Sequence, residues 1–223
     1  MKNSPAVILW AVAFAYVESA VVEYLRALYY PLASGGFHFP LQTIEQLSGM
    51  GEEHWRRLII ELGRELSTLV MLGAVGLMAG RNRREAIAHF MIAFGVWDIC
   101  YYLWLKLFLG WPGSIMTWDL LFLLPVPWAS PVLAPVIVSA VMIVSGFAVL
   151  YSESRGIVLA TTWRDWALIV GGGVTVIVSF CWDCRNLMEG GLPNPFNWPL
   201  FIVGLAVSST TFLLVLHRNL ARR

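Results

Sequence analysis

Charged residues are scarce in this sequence of 223 residues. Asp, Glu, Lys and Arg make up 13% of it, whereas soluble domains carry about 25%. That scarcity excludes an ordinary soluble domain. The 58% hydrophobic content and the mean hydropathy of +0.70 are typical of a polytopic membrane protein. The formal net charge is +1 and no basic stripe is present, so we expect no nucleic-acid partner.

Cysteine, histidine and the common catalytic motifs are also scarce. The three cysteines cannot form a disulfide ladder. None of the patterns G-x-S-x-G, H-E-x-x-H or a phosphate-cradling glycine loop occurs. Cys181 and Cys184 form one C-x-x-C pair. We expect this pair to pack as small apolar side chains, with a redox dithiol or ligation of a metal ion as the alternatives.

Long apolar runs are what the sequence has in abundance. They predict an all-α, polytopic bundle of six transmembrane helices, at about 5–29, 58–80, 86–109, 131–151, 166–187 and 198–217. Each run is near the 20 or so residues that a helix needs to cross the hydrocarbon core of the lipid bilayer. Backbone groups in lipid must be satisfied within the segment, so helices are the expected form. One integral membrane domain covers residues 1–223.

The segment between the third and fourth spans is apolar but short. Its apolar part begins at Asp119, and Pro125 and Pro127 interrupt any helix there. We predict a re-entrant or interfacial half-helix at about 118–125 on the outer side. The remaining outer segments are a loop at 31–57 and a turn at 188–199.

Lysine and arginine are distributed unevenly between the two sides. Nine of the fifteen fall at Lys2, in 80–85, at Arg155 and Arg164, and in 217–223. All nine share one side if both termini are cytoplasmic, as the positive-inside rule favours. The sequence therefore predicts a bacterial-type inner (plasma) membrane protein with both termini in the cytoplasm.

Ionisable residues within the spans are the main functional signal. Such groups cost a few kcal/mol each at depth, so they normally face the bundle interior or a wet cavity. Most of them fall from mid-bilayer to the outer side, in five different elements. They are Glu18, Glu23, Arg26, Glu61, Arg64, Glu65, Asp98, Lys106, Asp119, Asp183 and Arg185. Their formal sum is −3, and we expect one outward-facing acidic cavity that holds a cation.

Helical spacing supports convergence of these side chains. Glu61, Arg64, Glu65 and Thr68 share one helix face, and Asp98 lies one turn before Tyr102. Carboxylates with few imidazoles favour a hard divalent metal ion as the cofactor. The predicted metal ligands are Glu18, Glu65, Asp98 and Asp183. The supporting polar residues are Glu23, Glu61, Arg64, Tyr102, Lys106, Asp119 and Arg185.

Several functions fit this pattern. The first is binding or transport of a cation or metal ion through the acidic cavity. The second is an intramembrane enzyme that uses paired carboxylates on a lipid or an outer-face substrate. The third is a non-catalytic subunit of a larger membrane complex. The partner would be a small cation or a lipid-like ligand. The Gly76-x-x-x-Gly80 spacing predicts close helix packing within the chain, with a homodimer seam as the alternative.

Overall fold

Helices dominate the chain in a computed structural model that describes residues 3–29, 52–189 and 191–221. Six of them are long and apolar enough to cross a membrane. These are α1 (Ser4–Tyr29), α2 (Glu52–Ala79), α3 (Arg83–Leu109), α4 (Leu133–Ser154), α5 (Trp163–Phe180) and α7 (Trp198–Leu220). The predicted all-α bundle of six transmembrane helices is confirmed. Most of the predicted loop at 31–57 lies outside the described residues.

Local sequence signals set the helix ends. The Asn82 side chain accepts bonds from two backbone N–H groups in the first turn of α3, and Gly110 ends that helix at φ 66°. Thr162 and Asp165 form a capping box at the start of α5. The Asn197 side chain caps α7. Capping residues in the α2–α3 turn and at the start of α5 thus determine, from the local sequence, where these two helices begin.

The predicted half-helix at about 118–125 is wrong. Strand β1 (Trp118–Phe122) occupies this segment and pairs antiparallel with β2 (Trp128–Pro131), with Asp119 opposite Ser130. The apolar stretch is too short for a stable helix, because helix formation needs a costly first turn. Pairing with a second strand satisfies its backbone groups instead. The hairpin joins α3 to α4.

The fifth predicted span is also interrupted. Helix α5 ends at Phe180, and a separate short helix, α6 (Cys184–Met188), follows it. Cys181 is the C-cap residue of α5. Cys100, Cys181 and Cys184 are all free thiols.

Glycines allow the helices to approach closely. A Cβ atom on Gly95 would lie 2.5 Å from the Ser139 carbonyl oxygen, and one on Gly146 would lie 2.7 Å from the Ala88 carbonyl oxygen. Helices α3 and α4 therefore pack backbone to backbone. Gly76 plays the same part between α2 and α3, because its Cβ would lie 2.8 Å from the Ala86 carbonyl oxygen. The Gly76–Gly80 spacing thus serves packing within the chain.

The bundle consists of two groups of helices. Helix α3 packs extensively on α1, α2 and α4, whereas α5 and α7 pack mainly on each other. Strand β2 touches both α4 and α5, and a cluster of rings including Trp128, Phe180, Phe196 and Phe201 joins the hairpin to the α5–α7 pair. Contact between the two groups is otherwise sparse, and this leaves space between them.

Candidate functional site

A cavity of about 500 Å³ lies between the two groups of helices. All six long helices contribute to its wall, as do β1 and the loop that follows it. Most of the lining is apolar. Its charged and hydrogen-bonding residues include Glu18, Arg64, Glu65, Thr68, Asp98, Tyr102, Asp119, Ser139, Ser145, Ser208 and Ser209. Four carboxyl groups and one guanidinium line this space, so the cavity wall carries an excess of acid.

Glu18 is held in a network with α2. The guanidinium group of Arg64 forms an ion pair with Glu18, and its Nε donates to Glu61 at 3.0 and 3.1 Å. The Thr68 hydroxyl donates to Glu18 Oε1 at 3.0 Å. Glu18 is 5% exposed, so this carboxylate is buried with a cation and a hydroxyl donor. Its charge is therefore compensated within the protein.

Glu65 connects α2 to the hairpin. The backbone N–H of Leu123 donates to both carboxylate oxygens of Glu65, at 2.9 and 3.1 Å. Leu123 follows β1 directly and is not paired with a residue of β2, so its N–H group has no partner in the sheet. The carboxylate thus satisfies a backbone donor at membrane depth and also lines the cavity.

Asp98 contributes a further carboxyl group to the cavity wall. The Ser139 hydroxyl donates to Asp98 Oδ2 at 2.8 Å, and the close approach of α4 at Gly95 makes this contact possible. One turn further along α3, the Tyr102 hydroxyl donates to Asp119 Oδ2 at 3.0 Å. Asp98 and Asp119 are 8% and 4% exposed. Two carboxyl groups from a helix and a strand are thereby brought to one region.

The remaining predicted residues lie elsewhere. Asp183 accepts bonds from Asn186 and from both the backbone and the side chain of Asn194, at 2.8–2.9 Å, and does not line the cavity. It fixes the turn between α6 and α7. Cys181 and Cys184 flank it and form no disulfide.

Four supporting residues, among them Glu61, are also outside the cavity wall. Lys106 donates to the carbonyl oxygens of Gly110 and Pro112 at the end of α3. Arg185 pairs with Glu189 at 3.0 Å on an exposed surface. Glu23 is half-buried on α1 and does not line the cavity. The side chain of Arg26 lies outside the described residues.

The predicted metal ligands do not form one group. Within residues 3–29, 52–189 and 191–221, no three His, Cys, Asp or Glu side chains come close enough to hold a metal ion. Glu18, Glu65 and Asp98 share the cavity, but each has its own hydrogen-bond donor. The arrangement therefore gives the predicted divalent metal site no support.

Comparison with known proteins found no counterpart. No family model, no curated protein and no solved structure matches this chain.

Some residues of the cavity wall carried no recognisable signal in the sequence. Ser139 is one small polar residue in an apolar span, and only the packing of α4 on α3 reveals its bond to Asp98. Trp97 and Trp128 also line the cavity, although tryptophan in such a sequence is ordinarily an apolar or interfacial residue. Thr68, in contrast, was predictable from its spacing with Arg64.

Proposed function

We propose that this membrane protein binds a cationic group at the acidic end of its intramembrane cavity. The group would be an organic ammonium or a similar donor, because the carboxylates are dispersed over several elements instead of converging on one metal position. Transport of such a ligand across the membrane is a further step that this proposal does not require.

The main support for this proposal is the environment of Asp98. It is 8% exposed and accepts a bond from Ser139, yet no Arg, Lys or His among the described residues forms an ion pair with it. Buried charges are normally paired, and intramembrane acids commonly mark ligand or ion pathways. A cationic ligand would supply the missing partner for Asp98 and add a second contact at Glu65.

The first test is a thermal unfolding measurement on the purified full-length protein. Hexylamine is the cationic probe, and hexanol is the neutral probe of the same chain length. We expect the unfolding temperature to rise with the logarithm of the hexylamine concentration above its Kd, because a ligand that binds only the native state stabilises it. The Asp98→Asn variant should bind hexylamine about tenfold more weakly, since a charge-assisted hydrogen bond is lost.

Asp165→Asn is the matched control, because Asp165 forms its bonds with Thr162 and Arg218, away from the cavity. Its hexylamine affinity should equal that of the wild type. Equal stabilisation by hexylamine and hexanol, or an unchanged affinity in Asp98→Asn, would contradict the proposal. Mn²⁺ and Mg²⁺ in the same assay test the metal alternative directly.

The second candidate is an intramembrane enzyme that acts on a lipid or an outer-face substrate. Asp119 accepts a bond from Tyr102, and Tyr102 lies one turn after Asp98, so two carboxyl groups and a phenol stand close together. Such a set suits general acid–base chemistry. Mass spectrometry of membrane lipids incubated with the wild type and with Asp119→Asn would reveal a product only if the protein is catalytic.

A further inference from the structure

The cavity is longer and more apolar than a small cation requires. Its wall runs along α4 from Pro135 to Ser145, which corresponds to about 15 Å at 1.5 Å per residue. The carboxyl groups lie toward the hairpin, whereas Met142 of α4 and Phe212 of α7 line the opposite end. A volume of about 500 Å³ is within the range of roughly 300–1,000 Å³ for small-molecule sites. The space therefore has an acidic end and an end whose lining, apart from the hydroxyl groups of Ser145, Ser208 and Ser209, is apolar.

Two residues of the cavity wall, on α2 and α5, also have substantial exposed area. Leu69 of α2 and Ile177 of α5 both line it, yet they are 37% and 40% exposed. Helix α2 packs mainly on α3, and α5 packs mainly on α7, so these two walls are not closed against each other. We therefore expect an apolar ligand in the bilayer to enter the cavity between α2 and α5.

Three buried polar atoms of the cavity wall, on Trp97, Trp128 and Ser209, have no hydrogen-bond partner among the described residues, and the two indoles among them can only donate. Trp97 is 6% exposed. Unpaired buried polar groups are uncommon, and a missing ligand or water is one of their ordinary explanations. A head group that bears both an ammonium and oxygen atoms would match the carboxylates and the indoles together.

We infer that the cavity takes up a membrane amphiphile with an amine-bearing head, whose head reaches Asp98 and Glu65 and whose apolar chain lies toward Met142 and Phe212. This inference rests on the proposed function and names its ligand class. The excess of acid in the wall disfavours anionic lipids by charge repulsion. The apolar end disfavours a bare ion, because a small ion leaves that part of the cavity unfilled.

The test uses the full-length protein in nanodiscs of phosphatidylethanolamine and phosphatidylglycerol in equal amounts. Native mass spectrometry after extraction counts the lipids that remain bound. We expect phosphatidylethanolamine to be retained about tenfold over phosphatidylglycerol, and Asp98→Asn to lose this preference.

A second variant fills the cavity without changing its charge. Gly173 lines the cavity, and an added Cβ there meets no atom within 4 Å, so Gly173→Leu places bulk in open space. Gly171→Leu is the control, because Gly171 is exposed, equally uncrowded and outside the lining. Gly173→Leu should retain about tenfold less lipid, whereas Gly171→Leu should match the wild type.

Equal retention of the two lipids by the wild type, or undiminished retention in Gly173→Leu, would overturn the inference. If hexylamine still binds in an Asp98-dependent manner in either case, the cationic site stands and only the lipid assignment fails. If hexylamine binding is independent of Asp98, the proposed function itself fails. Unfolding temperatures of all variants confirm that each one is folded.

Discussion

Arg64 decides the charge balance on one wall of the cavity. It joins Glu18 of α1 to Glu61 of its own helix, and Glu18 is buried. Without this guanidinium, only the Thr68 hydroxyl among the described donors would remain for Glu18. An uncompensated carboxylate at that depth is far more costly than a lost surface pair.

We therefore expect Arg64→Gln to destabilise the protein by about 3–5 kcal/mol, the usual cost of removing one partner of a buried ion pair. Unfolding of the purified protein in mixed micelles measures this change. The double variant Glu18→Gln/Arg64→Gln should recover part of the loss, because it leaves less uncompensated charge.

Arg185→Gln is the matched control for this experiment. Arg185 and Glu189 form a pair whose side chains are 92% and 66% exposed, so its loss should change stability by less than about 1 kcal/mol. Similar losses in Arg64→Gln and Arg185→Gln would show that the Glu18–Arg64 contact is not the buried pair described above.

Spacing within one helix made part of this site predictable. Arg64, Glu65 and Thr68 follow each other at helical intervals, so their common face could be read directly from the sequence. The partners that lie on other elements could not. Ser139 reaches Asp98 only because α4 crosses α3 at Gly95, and Leu123 reaches Glu65 only because its segment is extended.

The α5–α7 pair depends on two glycines that face each other. A Cβ on Gly172 would lie 2.6 Å from the carbonyl oxygen of Gly204 and equally close to the Ser208 hydroxyl. A Cβ on Gly204 would in turn lie 2.8 Å from the Gly172 carbonyl oxygen. Both contacts involve backbone atoms of the neighbouring helix. An added Cβ atom could therefore be accommodated only if the two helices moved apart, which would weaken their packing.

Gly172→Ala should destabilise the protein by about 1–3 kcal/mol through overpacking. Gly171→Ala should be neutral or stabilising by up to about 1 kcal/mol, since its Cβ meets no atom within 4 Å and alanine favours helix. Unfolding in mixed micelles again provides the measurement. A Gly172→Ala protein as stable as the wild type would mean that α5 and α7 are less tightly packed than their geometry indicates.

Hydropathy was sufficient to predict the long helices but insufficient for the hairpin. A run of 20 or so apolar residues can cross lipid only as a helix, because only a helix satisfies the backbone groups within the segment. For this reason all six spans could be predicted. The run Trp118–Phe122 is too short for that argument to apply. Its conformation is decided by the availability of β2 and of the Glu65 carboxylate, and both are tertiary contacts.

Topology and charge together predict an orientation in the membrane. Six crossings place the start of α1 and the end of α7 on the same face, along with the α2–α3 and α4–α5 turns. Those turns carry Arg81, Arg83, Arg84 and Arg155, and the positive-inside rule predicts that this face is cytoplasmic. The hairpin would then face outward.

Cysteine labelling tests this orientation in a background where Cys100, Cys181 and Cys184 are replaced by alanine. Met116, 54% exposed near the hairpin, and Thr161, exposed in the α4–α5 turn, are then changed to cysteine one at a time. We expect Met116→Cys to react with a membrane-impermeant maleimide in intact spheroplasts. Thr161→Cys should react only after permeabilisation, and the reverse pattern would invert the assignment.

The division of the bundle has a consequence for biosynthesis. Leu205, Ser208 and Phe212 of α7 line the cavity, and α7 leaves the ribosome after the other five long helices. Until α7 pairs with α5, Asp98 and Glu65 face a space with one wall missing, where lipid or water can enter. The wall that carries these carboxyl groups therefore stays incomplete until α7 has been synthesised and has joined α5.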